Sequence, residues 1–346
     1  MIDNEFFKNK KILITGHTGF IGSWLTKWLL MLNANILGYS LDPPTNPNMY
    51  DTINIGKYIK DIRNDIRDVK FLRSTISKFQ PEIVFHLAAQ PIVLDSYRNP
   101  SETFETNIMG TVNLLNSLRN VNSVRVILIM TSDKVYKNNE WVYPYREIDP
   151  LGGKDPYSAS KSCQDIIVNS FRESYFKDKN VAISTIRAGN VIGGGDWGKY
   201  RIIPDIVRGI TQNRIIKIRN PESIRPWQHV LDPIYGMLIL TEKMWYDTSF
   251  SDAWNFGPNN QRNITVKELV EKFIEIWGRG NYLIKKDKKL KEANYLQLDI
   301  NKAKNKLNWL PKYEFEESIR MTVEWYKEYY ERKENMEKIT EFQIEK

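Results

Sequence analysis

Short apolar runs alternate along the first half of this chain with longer stretches whose apolar residues recur three and four apart. Residues 11–15 (KILIT), 35–39 (NILGY), 82–87 (EIVFHL), 124–130 (VRVILIM) and 181–187 (VAISTIR) have strand length. Strands that are apolar on both faces belong to a parallel sheet covered by helices on both sides. Helical spacing marks the segment from Gly22 (GSWLTKWLLML), residues 101–118, which open on a loose capping box at Ser101, and residues 156–175. The alternation predicts an α/β fold with a Rossmann-type doubly wound parallel sheet.

Beyond Gly189 the texture changes. Loops rich in Gly, Pro, Arg and Trp (GNVIGGGDW at 189–197, RNPESIRPWQHV at 219–230) interrupt short helices, which predicts a smaller mixed α/β C-terminal domain facing a substrate. The expected division is a sheet domain at 1–187, completed by 228–260, and a substrate domain at 188–227 and 261–330. A charged tail at 331–346 is left open between a helix end and disorder.

With 346 residues, 41% hydrophobic and 27% charged, the chain can bury a full core, which excludes disordered, collagenous and low-complexity classes. Lys+Arg 50 against Asp+Glu 42 gives a net charge of +8, which suits either nucleic acid or a small phosphate-bearing ligand. The densest cations, Lys285, Lys286, Lys288, Lys289 and Lys291, read as a solvated face. They lack interleaved aromatics, so no nucleic-acid partner is expected. One cysteine, Cys163, and three scattered histidines, His17, His86 and His229, predict neither disulfide nor metal site. No apolar stretch approaches the roughly 18 residues of a membrane span. A soluble cytoplasmic protein without a membrane partner is therefore expected.

Candidate chemistry begins where the first strand meets the first helix. Gly16, Gly19 and Gly22 form GxxGxxG at that junction. Glycine there permits a sharp turn and close approach of a pyrophosphate, and the helix N-terminus presents free N–H groups to the anion. Dinucleotide binding follows, against the alternative of an ordinary loop. The acid that bonds the ribose 2′-hydroxyl belongs at the end of the second strand, where Ser40 stands with Asp42 two residues later. With no arginine in that turn, NAD is expected over NADP.

Tyr157 and Lys161 lie one helical turn apart, so both side chains share a face. A lysine ammonium beside a tyrosine, with the positive nicotinamide, favours the phenolate. Ser132 at the end of the fourth strand distinguishes this set from a surface i,i+4 pair, since open α/β sheets place ligands at the carboxyl ends of their strands. The three suit hydride transfer at a secondary alcohol. Asp133 and Lys134 follow directly and admit two readings: an ordinary polar turn, or a second acid/base pair. A second pair would serve elimination. Once C4 of a hexose is a ketone, the C5 proton is acidic and water can leave C6 if an acid such as Asp133 protonates it.

These segments, together with GHTGFIGSWL (16–25), GYSLDPPT (38–45), HLAAQPIV (86–93), TNIMGTVNLL (106–115), TSDKVY (131–136), YREIDPLGGKDPYSASK (145–161), RAGNVIGGGDW (187–197), IRPWQHVLDP (224–233) and EANYLQLDINKAKNKLNW (292–309), cover most of the chain. Through them it resembles the extended short-chain dehydrogenase/reductase superfamily of NAD-dependent sugar-nucleotide epimerases and dehydratases. The Asp-Lys pair after Ser132, with GGGDW and RPWQHV, is similar to the group of 4,6-dehydratases that take a cytidine diphosphate-linked glucose. The resemblance implies NAD as cofactor, a small-molecule sugar nucleotide as partner, and a homodimer built on helices at 101–118 and 156–175. It implies Tyr157 as base with Lys161 as its partner, Ser132 as hydroxyl donor, Asp133 as dehydration acid, and Lys134 where relatives carry a glutamate. Cofactor contacts would come from Gly16, Thr18, Gly19, Phe20, Ile21, Gly22, Ser40, Asp42, Asp65, Ile66, Leu87, Ala88, Ala89, Thr106, Tyr157 and Lys161. Substrate contacts would come from Gln90, Asn190, Arg201, Arg225 and Glu292. Val135, Ile21 and Lys291 depart from the group's cysteine, lysine and histidine. A dehydratase or 4-epimerase for another sugar nucleotide is the alternative within the class; a non-catalytic dinucleotide-binding regulator is the one outside it.

Overall fold

In the computed structural model, which describes residues 2–259, 263–285 and 295–346, the five apolar runs lie side by side in one seven-stranded parallel sheet. In chain order the strands are β1 (Lys11–Thr15), β2 (Asn35–Ser40), β3 (Lys60–Arg63), β4 (Ile83–His86), β5 (Val126–Met130), β6 (Ala182–Ala188), β7 (Val191–Ile192), β8 (Ile216–Ile218), β9 (Gln228–His229), β10 (Ala253–Phe256) and β11 (Tyr282–Ile284). The sheet order is β10-β6-β5-β4-β1-β2-β3, so the winding reverses between β1 and β4. Ligands bind at such a switch point, beyond the carboxyl ends of the strands.

Alternate residues of each strand serve two cores. Ile12 and Ile14 of β1 pack with Trp24, Leu25 and Leu29 of the helix Phe20–Met31 on one face. Leu13 packs on the other with Leu72 and Ile76 of Val69–Phe79, Leu114 of Gly110–Leu118 and Val168 of Pro156–Phe171. Two edge strands complete the sheet. β10, from beyond Gly189, pairs with β6, while β3 has no apolar run (KDIR) and went unseen in the sequence because an edge strand needs no buried face.

Local corrections follow from side-chain chemistry. The helix expected from Ser101 begins at Pro100 with Asn99 as its N-cap, so the exposed Ser101 caps nothing; it continues through a wider turn at Glu105–Met109 into Gly110–Leu118. The helix Pro156–Phe171 is capped by Asp155, whose carboxylate accepts from Ser158 N at 2.9 Å. The tail is ordered as a helix, Met336–Glu345. Lys27 reaches Glu337 at 2.7 Å and Glu341 at 2.5 Å, fastening it beside the first helix. Two small parallel pairs, β7 with β9 and β8 with β11, sit over the sheet's carboxyl edge. Lys285, just after β11, is exposed; Lys286, Lys288, Lys289, Lys291 and Glu292 lie outside the described residues.

Candidate active site

The turn after β1 is backbone packed on backbone. Gly16 has φ +77°, and a Cβ there would lie 2.6 Å from Ala88 N; a Cβ on Gly22 would lie 2.2 Å from Gly16 O. At Gly19 the nearest such contact is Gly16 O at 3.4 Å, so this position is open. The outer glycines thus close the turn while the middle one leaves bare backbone on the cleft wall, at the N-terminus of Phe20–Met31. Free N–H groups and an open cradle fit a pyrophosphate.

At the end of β2, Ser40 is engaged with Thr18, Oγ to Oγ1 at 2.8 Å, and Thr18 donates to Leu41 O at 3.1 Å. Asp42 is exposed on the cleft wall. The turn itself holds no arginine, but one reaches it from the neighbouring strand. Arg63 of β3 donates from Nη1 to Leu41 O at 3.1 Å, lies 4.6 Å over Tyr50 and pairs with Asp61 at 2.8 Å. It is distant in sequence and arrives through the strand that lacked a pattern. Asp65 is held below the usual carboxylate range by its bonds to Arg67, and Ile66 packs against Gly110.

Leu87, Ala88 and Ala89 follow β4 along the cleft. Beneath them His86 bridges Thr15 Oγ1 (2.7 Å) and Thr111 Oγ1 (3.0 Å), and burial pushes its pKa down to about 3. The Gln90 amide is occupied within its own loop, donating to Thr103 Oγ1 at 2.9 Å and accepting from Ile92 N at 2.5 Å. It therefore shapes the wall on which it was expected to contact substrate.

Ser132, Asp133 and Lys134 form one turn at the end of β5. Ser132 Oγ donates to Asp133 Oδ1 at 2.9 Å and accepts from Lys134 N at 3.2 Å. Asp133 is buried and its Oδ2 has no hydrogen-bond partner among the described residues, whereas Lys134 is half-buried on the cleft wall. Tyr157 is buried, which pushes its phenol up to about 12 against the opposing pull of the Ser132 hydroxyl. Lys161 donates to Met130 O at 3.2 Å; burial brings its ammonium down to about 7, opposed by Asp165. Burial thus drives both groups toward their neutral forms, contrary to the simple picture of a lysine that ionises its tyrosine. A phenolate here needs a further positive charge.

One supporting network was not foreseen. Asp165 accepts from Thr131, Thr185 and Arg187, and Arg187 also donates to Tyr136 OH at 2.9 Å, all of it buried at the ends of β5 and β6. Its signal in the sequence was an arginine closing the strand run VAISTIR.

On the far wall Asn190 has φ +31° and a buried Oδ1 without a partner among the described residues. Arg201 pairs with Asp196 at 3.1 Å, and its charge bears on Tyr157. Arg225 donates to Ile224 O at 2.9 Å. All the expected residues within the described part line a single cleft of about 1470 Å³, which the sequence reading did not extend to Trp197, Lys217 and Arg219. Small-ligand pockets run to roughly 300–1,000 Å³, so the cleft has room for two ligands in line. Among the described residues no three His, Cys, Asp or Glu converge as a metal site, and no helix is long and apolar enough to cross a membrane.

The family described as GDP-mannose 4,6 dehydratase matches residues 13–322. A CDP-glucose 4,6-dehydratase of Salmonella typhimurium is 45% identical over 94% of this chain and 93% of its own. A dTDP-glucose 4,6-dehydratase of Escherichia coli is 27% identical over 91% and 92%. Among solved structures, the UDP-glucose 4-epimerase of Thermotoga maritima with UDP-glucose superposes at TM-score 0.81, 26% identity, covering 93% of this chain and 100% of that one. The dTDP-glucose 4,6-dehydratase of Bacillus anthracis in complex with NAD does so at 0.78 and 23%, covering 94% and 100%.

Proposed function

The chain belongs to the GDP-mannose 4,6 dehydratase family, within the extended short-chain dehydrogenase/reductases, and we propose that it converts CDP-glucose to CDP-4-keto-6-deoxyglucose with NAD. The observation that carries the reading is the buried Asp133 carboxyl, bonded to Ser132 and sharing one cleft with Tyr157 and the glycine turn. An oxidoreductase that stops at the ketone needs no such acid.

NAD, held by Gly16, Gly19, Gly22 and the helix behind them, would take the hydride from C4 and return it to C6. The positive charge of a bound nicotinamide would be the further one that a Tyr157 phenolate needs. Tyr157 then accepts the C4 hydroxyl proton while Ser132 holds the same oxygen. With C4 a ketone, the C5 proton passes to solvent and the C5–H electrons form the C5–C6 double bond. The C6–O bond breaks, and the departing hydroxide takes a proton from Asp133 and leaves as water. The half-buried Lys134 supplies positive charge against the enolate. With hydride returned to C6, a solvent proton at C5 would complete the product. Asn190, Arg201 and Arg225 line the wall on which the sugar nucleotide would rest.

Incubation with CDP-glucose and NAD in deuterated buffer tests this. The expected product is a 4-keto-6-deoxy sugar carrying deuterium at C5, with no net reduced cofactor. Tyr157→Phe should lower turnover about 10²–10⁴-fold. Unchanged CDP-glucose beside turnover of a dTDP-, GDP- or UDP-linked hexose would move the assignment to another nucleotide, and C4 inversion without loss of water would make it an epimerase. The division into a sheet domain at 1–187 with 228–260 and a substrate domain at 188–227 with 261–330, a cytoplasmic location and a homodimer belong to the same proposal. Support for the dimer is the exposed Met109 (49%), Ile166 (57%) and Tyr175 (39%) on the two helical segments expected to pair.

A further inference from the structure

Asp133 is confined from two sides. Its Oδ1 accepts from Ser132, and its Oδ2, buried and unpartnered among the described residues, faces the backbone just past the end of β6. There stands Gly189. A methyl on its Cα would lie 2.3 Å from Asp133 Oδ2, 2.6 Å from its Cγ and 2.8 Å from Pro226 Cγ. The backbone at this point is tied. Gln228 Nε2 donates to Gly189 O at 2.9 Å and to Phe256 O at 2.9 Å, and Gln228 N donates to Asn190 O at 3.3 Å. An added side chain would therefore move the carboxyl rather than the strand.

We propose that Gly189 is a positioning residue for the elimination step: its bare Cα is the seat that aims the Asp133 carboxyl at the departing C6 oxygen. The inference rests on the reading of Asp133 as the dehydration acid. Oxidation at C4 depends on Tyr157 and the cofactor, so a residue at 189 that displaces Asp133 separates the two halves of the reaction. Reduced cofactor should then accumulate while product formation falls.

The test compares Gly189→Ala with Asp133→Asn, each with NAD and CDP-glucose, following reduced nicotinamide by absorbance and product by NMR. Both variants are expected to accumulate reduced cofactor, with product formation down about 10²-fold for Gly189→Ala, the scale of loss when a reacting group is misplaced by about 1 Å. If Asp133→Asn stalls in this way and Gly189→Ala turns over normally, the seat is refuted and the dehydratase reading stands. If Asp133→Asn makes product at the normal rate, the reading itself falls and takes the seat with it. Thermal unfolding gives a second measurement should Gly189→Ala fold poorly. Its cost should shrink in an Asp133→Ala background, where the opposing carboxyl is gone. An equal cost in both backgrounds would overturn the contact.

Discussion

Two glycine-rich loops line the cleft, and they use glycine differently. In the loop after β1, the contacts that forbid a side chain at Gly16 and Gly22 are backbone atoms of the turn itself and of the strand end beside it. In the loop after β6, they are side chains brought from elsewhere: Asp133 at Gly189, Val230 at Gly193, Trp325 at Gly194 and Met49 at Gly195. The first loop is an internally closed cradle. The second is a meeting place. Among the described residues, unpartnered buried polar atoms follow the same division: Asp133 Oδ2, Asn190 Oδ1, Trp227 Nε1 and Gln228 Oε1 lie around the second loop, against His17 Nδ1 at the first. Buried polar atoms are costly without partners, so the second loop carries the larger desolvation cost of the two.

The largest expected effect tests the first half of that contrast. Gly22→Ala puts a methyl 2.2 Å from Gly16 O and 2.9 Å from His17 Cα, with no flexible atom to yield. The expected loss is about 3 kcal/mol of stability, with little folded protein recovered, and no truncation of a neighbouring side chain should restore it. A folded Gly22→Ala enzyme with near-normal Tm would show that this turn is not closed by backbone contact.

The second half predicts rescue. Gly193→Ala meets Val230 Cγ1 at 2.8 Å and Phe20 Cζ at 3.2 Å, and should cost about 1–2 kcal/mol by chemical denaturation. Val230→Ala makes the missing room. The double variant should be more stable than the sum of the two single losses by at least roughly 0.5 kcal/mol. Strict additivity would mean that the two loops do not differ in kind.

The same contrast sets what could be read from the sequence. Spacing three residues apart reports a turn that closes on itself, so Gly16, Gly19 and Gly22 were legible, as were the strands buried on both faces. The tyrosine and lysine one helical turn apart, and the serine at a strand end, were legible for the same local reason. Nothing local tells Gly189 that it faces Asp133, 56 positions earlier in the chain. Nor does anything local bring Arg63 to the end of β2, since KDIR shows no apolar alternation and its arginine arrives by strand pairing. The tail helix was undecided because its partners, Lys27 and Trp325, are supplied by other elements.

The smallest expected effect concerns the ground between the loops, where Lys161 sits with Nζ against Met130 O. If that ground awaits a charge carried by a ligand, the lysine is a burden on the empty protein. Burial brings its pKa from 10.5 to about 7, so between these values the unfolded chain binds a proton that the folded protein has shed. Stability then rises with pH across that window, and below about 7 the full penalty of burying the ammonium is present. Lys161→Met keeps the shape and removes the charge. The variant should be inactive yet melt roughly 2–4 °C above the parent below neutral pH. That gap should close as the pH is raised toward 10.5, because the parent's lysine is by then neutral in both states. A gap that stays constant with pH would mean that Lys161 keeps its ordinary pKa in the empty cleft. In that case the positive charge that ionises Tyr157 would already be in place before the cofactor arrives.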